Sequence, residues 1–128
     1  MEINIIARTV NYYPLNLIKP ENLEAIIYPI QFELLTSGYY KHDFMIYNYK
    51  KEGCYLTYYH GVDSDDKQQN SLNCKSKIVT LTYPTSDKKD FLFQIEIINL
   101  LSQKFNGHIY DPKSKKVITA KEVKYLIK

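Results

Sequence analysis

The chain has 128 residues, of which 45% are hydrophobic and 24% are charged, and its formal net charge is +3. This length predicts a single domain, residues 1–128, because two separate cores would each be too small. The apolar content excludes a chain that is disordered throughout. No apolar run approaches the roughly 18 residues of a transmembrane helix, so we expect no membrane association.

The expected compartment is the cytoplasm. Glu2 occupies a position where a secretory signal peptide carries basic residues, and the apolar run that follows is short. Cys54 and Cys74 are then expected as free thiols, since disulfides form in oxidising compartments. Two cysteines without a close pair do not make a zinc motif.

The first third of the chain predicts a strand followed by a helix. Residues 2–10 alternate as a strand does, and residues 11–14 end it. Pro20 begins a helix in the favoured way. Its apolar stripe contains Leu23, Ile26, Ile27 and Ile30. Pro29 kinks or stops this helix.

Residues 31–40 are compatible with either helix or strand. We favour a continued helix that ends before Gly38, because glycine is a frequent C-terminal cap.

A hairpin is the clearest feature of the middle third. Its arms are residues 43–49 and 54–60, and the polar link between them ends in Gly53. Alternation places Tyr47 and Tyr49 on one face of the first arm. A long polar loop, residues 61–76, precedes a further strand at 77–83.

The last third predicts a core helix and a short hairpin. Ser86 or Asp87 caps a helix with two apolar rows, formed by Phe91, Ile95, Ile98 and Phe105 and by Phe93, Ile97, Leu100 and Leu101. Gly107 is expected to end it in a left-handed conformation. Residues 108–110 and 117–118 are strands joined by an Asp-Pro turn. Thr119 and Glu122 form a capping-box signature for a final helix.

Together these elements predict an α+β fold with a mostly antiparallel sheet of about five strands and helices packed on it. No catalytic motif accompanies them. Asp63–Asp66 resembles the start of a calcium loop, but the required glycine and late glutamate are missing. Glycine-rich phosphate loops are also missing from the sequence. We therefore expect no cofactor, no metal and no enzymatic activity, although a small enzyme whose site forms only on folding stays open.

The hairpin tyrosines are the best candidates for recognition. Tyrosine is enriched in interface hot spots because it combines a large contact area with a polar tip. The alternative interpretations are that they fill the core or stack on single-stranded nucleic acid. The predicted partner-binding residues are Tyr47, Tyr49, Tyr55, Tyr58 and Tyr59, with Asp63, Asp65 and Asp66 of the adjacent loop.

A resemblance favours a protein partner. The buried helix, the segment from Asn106 to Pro112, the segment Val117–Thr119 and the short last helix resemble small bacterial immunity proteins of contact-dependent or polymorphic toxin systems. That resemblance implies a cytoplasmic inhibitor that binds a cognate toxin and occludes its active site without catalysis. Inhibitors of nucleases are often acidic, whereas this chain is basic. Either the target is therefore not a nuclease, or the contact involves the acidic N-terminal half and the Asp63–Asp66 loop.

The alternative is a nucleic-acid-binding module, which we consider the less favoured function. Residues 65–128 carry twelve lysines and seven acids, whereas residues 1–64 carry five basic and seven acidic residues. The lysines expected to contact nucleic acid are those nearest the C-terminus, Lys113, Lys115, Lys116, Lys121, Lys124 and Lys128. The chain has one arginine, and arginine is the usual bidentate ligand of phosphates and bases.

Overall fold

The computed structural model describes residues 8–40, 44–83 and 88–123. Within these ranges the strands are β1 (Arg8–Pro14), β2 (Glu33–Tyr40), β3 (Phe44–Lys51), β4 (Cys54–His60), β5 (Lys77–Thr82), β6 (Gly107–Asp111) and β7 (Lys116–Ile118). The helices are α1 (Pro20–Ile27), α2 (Lys67–Ser71), α3 (Lys88–Lys104) and α4 (Ala120–Val123). Across the described ranges, no helix combines the length and apolar character needed to cross a membrane.

The strands form one antiparallel sheet in the order β2-β3-β4-β5-β1-β6-β7. The predicted α+β class is confirmed. The sheet has seven strands in the described part of the chain, however, and not about five. The predicted hairpin is confirmed as β3 and β4, whose arms pair from Met45 with His60 to Lys51 with Cys54.

The helix favoured for residues 31–40 is wrong, because this segment forms β2. Helix α1 ends at Ile27, immediately before the turn that contains Pro29. Gln31 then takes a φ of 72°, and the Phe32 N–H donates to the Ile27 carbonyl at 3.0 Å. This turn leads the chain into β2, which pairs with β3. Strand pairing therefore outweighs the local preference for helix.

The predicted end of the first strand is also wrong. Residues 11–14 continue β1 and pair with β6, from Asn11 with Tyr110 to Pro14 with Gly107. Residues 1–7, and the caps predicted at Ser86 and Asp87, lie outside the described residues. The predicted polar loop 61–76 contains the short helix α2.

Helices α1 and α3 pack on one side of the sheet, which we call the helical face. Gln94 of α3 accepts a hydrogen bond from the Thr82 hydroxyl at 3.0 Å, and its amide nitrogen lies 3.1 Å from the Thr80 hydroxyl. The Tyr49 hydroxyl of β3 donates to Glu24 of α1 at 3.1 Å. The core lies between these layers, and it includes the fully buried side chains of Tyr12, Leu23, Ile27, Leu56, Tyr58, Ile78, Ile97 and Leu101.

The predicted Asp-Pro turn is present near the C-terminus, and of the predicted capping box the Glu122 half is present, whereas the Glu122 N–H donates to the Thr119 carbonyl and not to its hydroxyl. Glu122 accepts hydrogen bonds from the Thr119 N–H at 3.1 Å and from its hydroxyl at 3.0 Å. Asp111 accepts from the Lys113 N–H at 3.1 Å and from the Ser114 hydroxyl at 2.7 Å. These local contacts close the β6–β7 hairpin and start α4.

Gly107 has a different role from the one predicted. It is the first residue of β6, and its backbone is not in the left-handed region. A Cβ at this position would lie 2.6 Å from the Tyr13 carbonyl oxygen and 2.7 Å from the Tyr12 ring and hydroxyl. Glycine is therefore required here by the close approach of β1.

Gly107→Ala should lower the free energy of unfolding by about 1 to 3 kcal/mol, because the added methyl overlaps backbone and a buried ring. Chemical denaturation measures this difference. Gly38→Ala is the matched control, since nothing lies within 4 Å of a Cβ there. A control change within about 1 kcal/mol is expected, and equal effects at both glycines would contradict the steric explanation.

Candidate protein-interaction face

The sheet side opposite α1 and α3 is the candidate site, and we call it the open face. Strand register places every second side chain of β3, β4 and β5 on this side; Phe44 is buried, and the others are half-buried. Its centre, the central open face, consists of Ile46, Asn48, Lys50, Tyr55, Thr57, Val79 and Leu81. Helix α2 packs on this side at one corner only, so the centre carries mixed aliphatic, aromatic and polar groups at the surface.

A polar ladder crosses three strands of the central open face. The Thr57 hydroxyl of β4 donates to the Asn48 carbonyl oxygen of β3 at 3.0 Å. The Asn48 amide in turn donates to the Thr36 hydroxyl of β2 at 2.9 Å. Because each group restrains the next, these side chains are held in one arrangement before any partner binds.

Tyr55 provides the main aromatic surface of this centre. Its ring contacts the Tyr83 ring edge to face, with centroids 6.1 Å apart. The Lys50 ammonium lies 5.4 Å from the Tyr55 centroid, a distance at which cation–π attraction operates. Tyr55 is thus restrained on both sides while its side chain stays half-exposed.

Helix α2 is held on the open face by one partly buried ionic network. Lys77 of β5 lies 2.9 Å from Asp66 and 3.3 Å from Asp63. The Tyr13 hydroxyl donates to the same Asp66 oxygen at 3.1 Å. The other Asp66 oxygen caps α2 by accepting the N–H groups of Gln68 and Gln69, each at 3.0 Å.

The electrostatics of this network favour the charged forms. Burial raises the pKa of Asp66, but the hydrogen bonds from Lys77 and from the Gln69 N–H outweigh it, so the pKa lies below its usual 3.8. For Lys77, burial lowers the pKa, whereas the two carboxylates raise it above 10.5 overall. Both groups are ionised at neutral pH and stabilise one another.

Two of the predicted partner-binding tyrosines are buried and do not lie on the open face. Tyr49 is 1% exposed and Tyr58 is 0% exposed, because both point to the helical face. Tyr47 shares that face and is half-buried, with its ring stacked 6.1 Å from that of Tyr58. Tyr55 and Tyr59 lie on the open face. These two are the predicted tyrosines that the open face presents.

Tyr59 and the predicted aspartates belong to the α2 corner. The Lys77 ammonium lies 4.6 Å from the Tyr59 centroid, and the Phe44 ring is 6.0 Å away. Asp63 and Asp66 are committed to Lys77, whereas the Asp65 side chain is exposed. Of the three aspartates, Asp65 is therefore the one whose carboxylate is most accessible to a partner.

The polar ladder and the aliphatic residues of β5 were not among the predicted site residues. Strand alternation by itself puts Thr57 on the same face as Tyr55 and Tyr59. Nothing local indicated which face the helices would cover, however, and Thr36 was assigned to a helix. For Asn48, Val79 and Leu81, the sequence offered only the alternation within each strand, which does not tell which side of the sheet is exposed.

Both cysteines are free, as predicted, and the structure shows that both are buried. Burial, with a smaller effect from the nearby Asp90 carboxylate, raises the pKa of Cys54 to about 12, so this thiol is protonated at neutral pH. In the described part of the chain, no group of three or more His, Cys, Asp or Glu residues is arranged to hold a metal ion.

No protein-family model matches this chain, and no curated protein or solved structure matches it significantly.

The substitution Asp66→Asn should lower the free energy of unfolding by about 1 to 3 kcal/mol, because asparagine still caps α2 but leaves Lys77 without its closer carboxylate. The loss should be full above pH 3.8, where the unfolded-state carboxyl is ionised. It should vanish as the pH falls through the lower folded-state pKa, because the wild-type carboxyl is then protonated as well. Denaturation curves at pH 6 and at lower pH values measure this.

Asp65→Asn is the matched control for this prediction, since it removes an exposed carboxylate from the same loop. Its stability should differ little from that of the wild type at either pH. A loss for Asp66→Asn that did not depend on pH would argue against the ionic network as its cause.

Proposed function

We propose that this protein is a non-catalytic, cytoplasmic inhibitor that binds another protein. More specifically, we propose an immunity protein that occludes the active site of a cognate bacterial toxin. The observation that supports this proposal is the central open face, a pre-arranged sheet surface that none of the four described helices covers.

The chemistry of this face suits a protein partner. Aromatic and aliphatic side chains surround a hydrogen-bonded polar ladder, a mixture similar to that of protein interfaces. Because Thr57, Asn48 and Tyr55 are already restrained, binding orders few side chains and the entropic cost is small. Flat sheet surfaces also accommodate a broad contact area without a deep cavity.

The test is capture of a partner from the native host, followed by affinity measurements with variants. Tyr55→Ala should weaken binding about tenfold or more, because a half-buried tyrosine at an interface centre is a typical hot spot. Thr57→Arg should also weaken binding, because a long side chain would then protrude from the middle of the central open face and obstruct the contact. Calorimetry or surface plasmon resonance measures both changes.

Glu96→Ala is the matched control, because this exposed residue lies on α3, on the other side of the sheet. It should leave affinity unchanged. Failure to recover any tight partner, together with a neighbouring gene that encodes no toxin, would overturn the immunity proposal. A partner whose affinity is unaffected by Tyr55→Ala and Thr57→Arg would place the contact elsewhere.

Nucleic-acid binding is the second candidate, and one observation favours it. Lys113, Lys115 and Lys116 are all exposed at the β6–β7 turn, where they form a compact basic group. If this group binds phosphates, affinity for a single-stranded oligonucleotide should fall steeply with salt.

Replacing Lys113, Lys115 and Lys116 together by glutamine should make the affinity less dependent on salt. The change in the slope of log affinity against log salt concentration should correspond to the loss of about two to three phosphate contacts. Binding measured by fluorescence anisotropy across a salt series tests this. Absent or salt-insensitive binding would remove the candidate.

A further inference from the structure

The two edges of the sheet differ in how they are protected. Strand β7 has three residues, and Lys115 and Lys116 lie at its start. Strand β2 has eight residues, Glu33–Tyr40, with no lysine, arginine or proline. Short length and lysines are the usual devices that prevent edge-to-edge pairing. Strand β7 is therefore both short and flanked by lysines, whereas β2 is long and carries no lysine.

Strand β2 also exposes large apolar side chains. Leu34 is 43% exposed, Leu35 is 54% exposed and Tyr39 is 74% exposed. Leu34 pairs with Tyr49 and Tyr39 pairs with Met45, so both point to the helical-face side. A β-bulge at Leu35 separates the two ends of the strand. The strand therefore has an apolar residue near each end on the same side.

A cleft lies beside the first end of β2. Its volume is about 990 Å³ and it is open to solvent. Tyr28, Phe32, Leu34 and Leu35 form its apolar wall. Its polar lining residues are Gln31, Glu33, Lys50, Lys51 and Glu52. Tyr39, which is 74% exposed, lies near the opposite end of the strand. Strand β2 thus combines a cleft at one end with a protruding aromatic ring at the other.

We propose that β2 pairs with β2 of a second copy of this chain, antiparallel and around a two-fold axis. Antiparallel pairing brings the last residues of one strand beside the first residues of the other. Tyr39 of each copy then lies beside the cleft at Leu34 and Leu35 of its partner. A two-fold interface requires such reciprocity, because each contact occurs twice. An unrelated extended segment would satisfy the strand edge but would leave Tyr39 without a cleft.

Charge supports the antiparallel, two-fold arrangement. Glu33 is the one charged residue of β2. In antiparallel pairing the two Glu33 carboxylates lie at opposite ends of the shared ladder, about 20 Å apart at 3.3 Å per residue. In parallel pairing they would lie side by side and repel.

This dimer leaves the proposed inhibitory surface free. A two-fold axis perpendicular to the sheet keeps the two helical faces on one side and the two open faces on the other. The dimer therefore presents two central open faces on one continuous side. Its existence is independent of the proposed function, since β2 pairing and partner binding use different surfaces.

Sedimentation velocity across a concentration series tests the proposal. The wild type should change from monomer to dimer within the range of about 1 to 200 µM, as expected of a modest interface. Tyr39→Lys should raise the dimer dissociation constant at least about tenfold, because it removes the aromatic ring and adds a charge to the edge. Val117→Lys is the matched control, since Val117 is 49% exposed on the opposite edge strand. It should leave dimerisation unchanged.

A cross-linking variant supplies independent evidence. The double variant Leu34→Cys and Tyr39→Cys should form a disulfide-linked dimer when an oxidant is added. The two positions are five residues apart in one strand, about 16 Å, which is too far for a bond within one copy. Cys54 and Cys74 are buried and do not compete. Val117→Cys is the control that reports random collision.

Three results would overturn the proposal. They are a wild type that is monomeric throughout the concentration range, a dimer that Tyr39→Lys leaves intact, and cross-linking no greater for the double cysteine variant than for Val117→Cys. Circular dichroism of each variant verifies folding. A monomer that still binds a captured partner through Tyr55 would overturn the dimer and leave the proposed function standing.

Discussion

The packing of α3 on the middle of the sheet is the constraint on which the rest of this structure depends. Gln94 is 2% exposed, and its side chain bonds to Thr80, Thr82 and the Arg8 carbonyl. A buried amide must satisfy its hydrogen bonds, so this contact fixes α3 relative to β5 and β1. Apolar residues on either side, Phe91 and Ile98 among them, are buried at the same time. One face of the sheet is thereby committed to the core.

The exposure of the open face follows from the packing of α1 and α3 on the helical face. With α1 and α3 on one side, alternation exposes Asn48, Tyr55 and Thr57 on the other. The network of Lys77 with Asp63 and Asp66 then fastens α2 to one corner of that side, and none of the four described helices covers the centre. The proposed partner-binding surface is consequently a product of one-sided packing. The proposed dimer edge has a different origin, since it follows from the terminal position of β2 in the strand order.

Local chemistry predicted many elements correctly. Examples are the hairpin of β3 and β4, the start of α1 at Pro20 and the bond from the Thr119 N–H to Glu122, all of which depend on residues close in sequence. Predictions failed where distant segments decide the outcome. Gly107 is required by the approach of β1, and β2 is a strand because β3 is available to pair with it. For the candidate site, position in the hairpin identified Tyr55 and Tyr59, which lie on the open face, but it also included Tyr49 and Tyr58, which are buried.

The sequence by itself determined the α+β class, the alternation of side chains along each strand and the local signals that start or stop several elements. Those properties depend on backbone geometry and on interactions within a few residues. Only the tertiary structure decided which face of the sheet is covered, which strands lie at the edges and which tyrosines reach the surface. The physical reason is that the two faces of the β3–β4 hairpin are similarly apolar. The docking of α1 and α3, through contacts distant in sequence, selects between them.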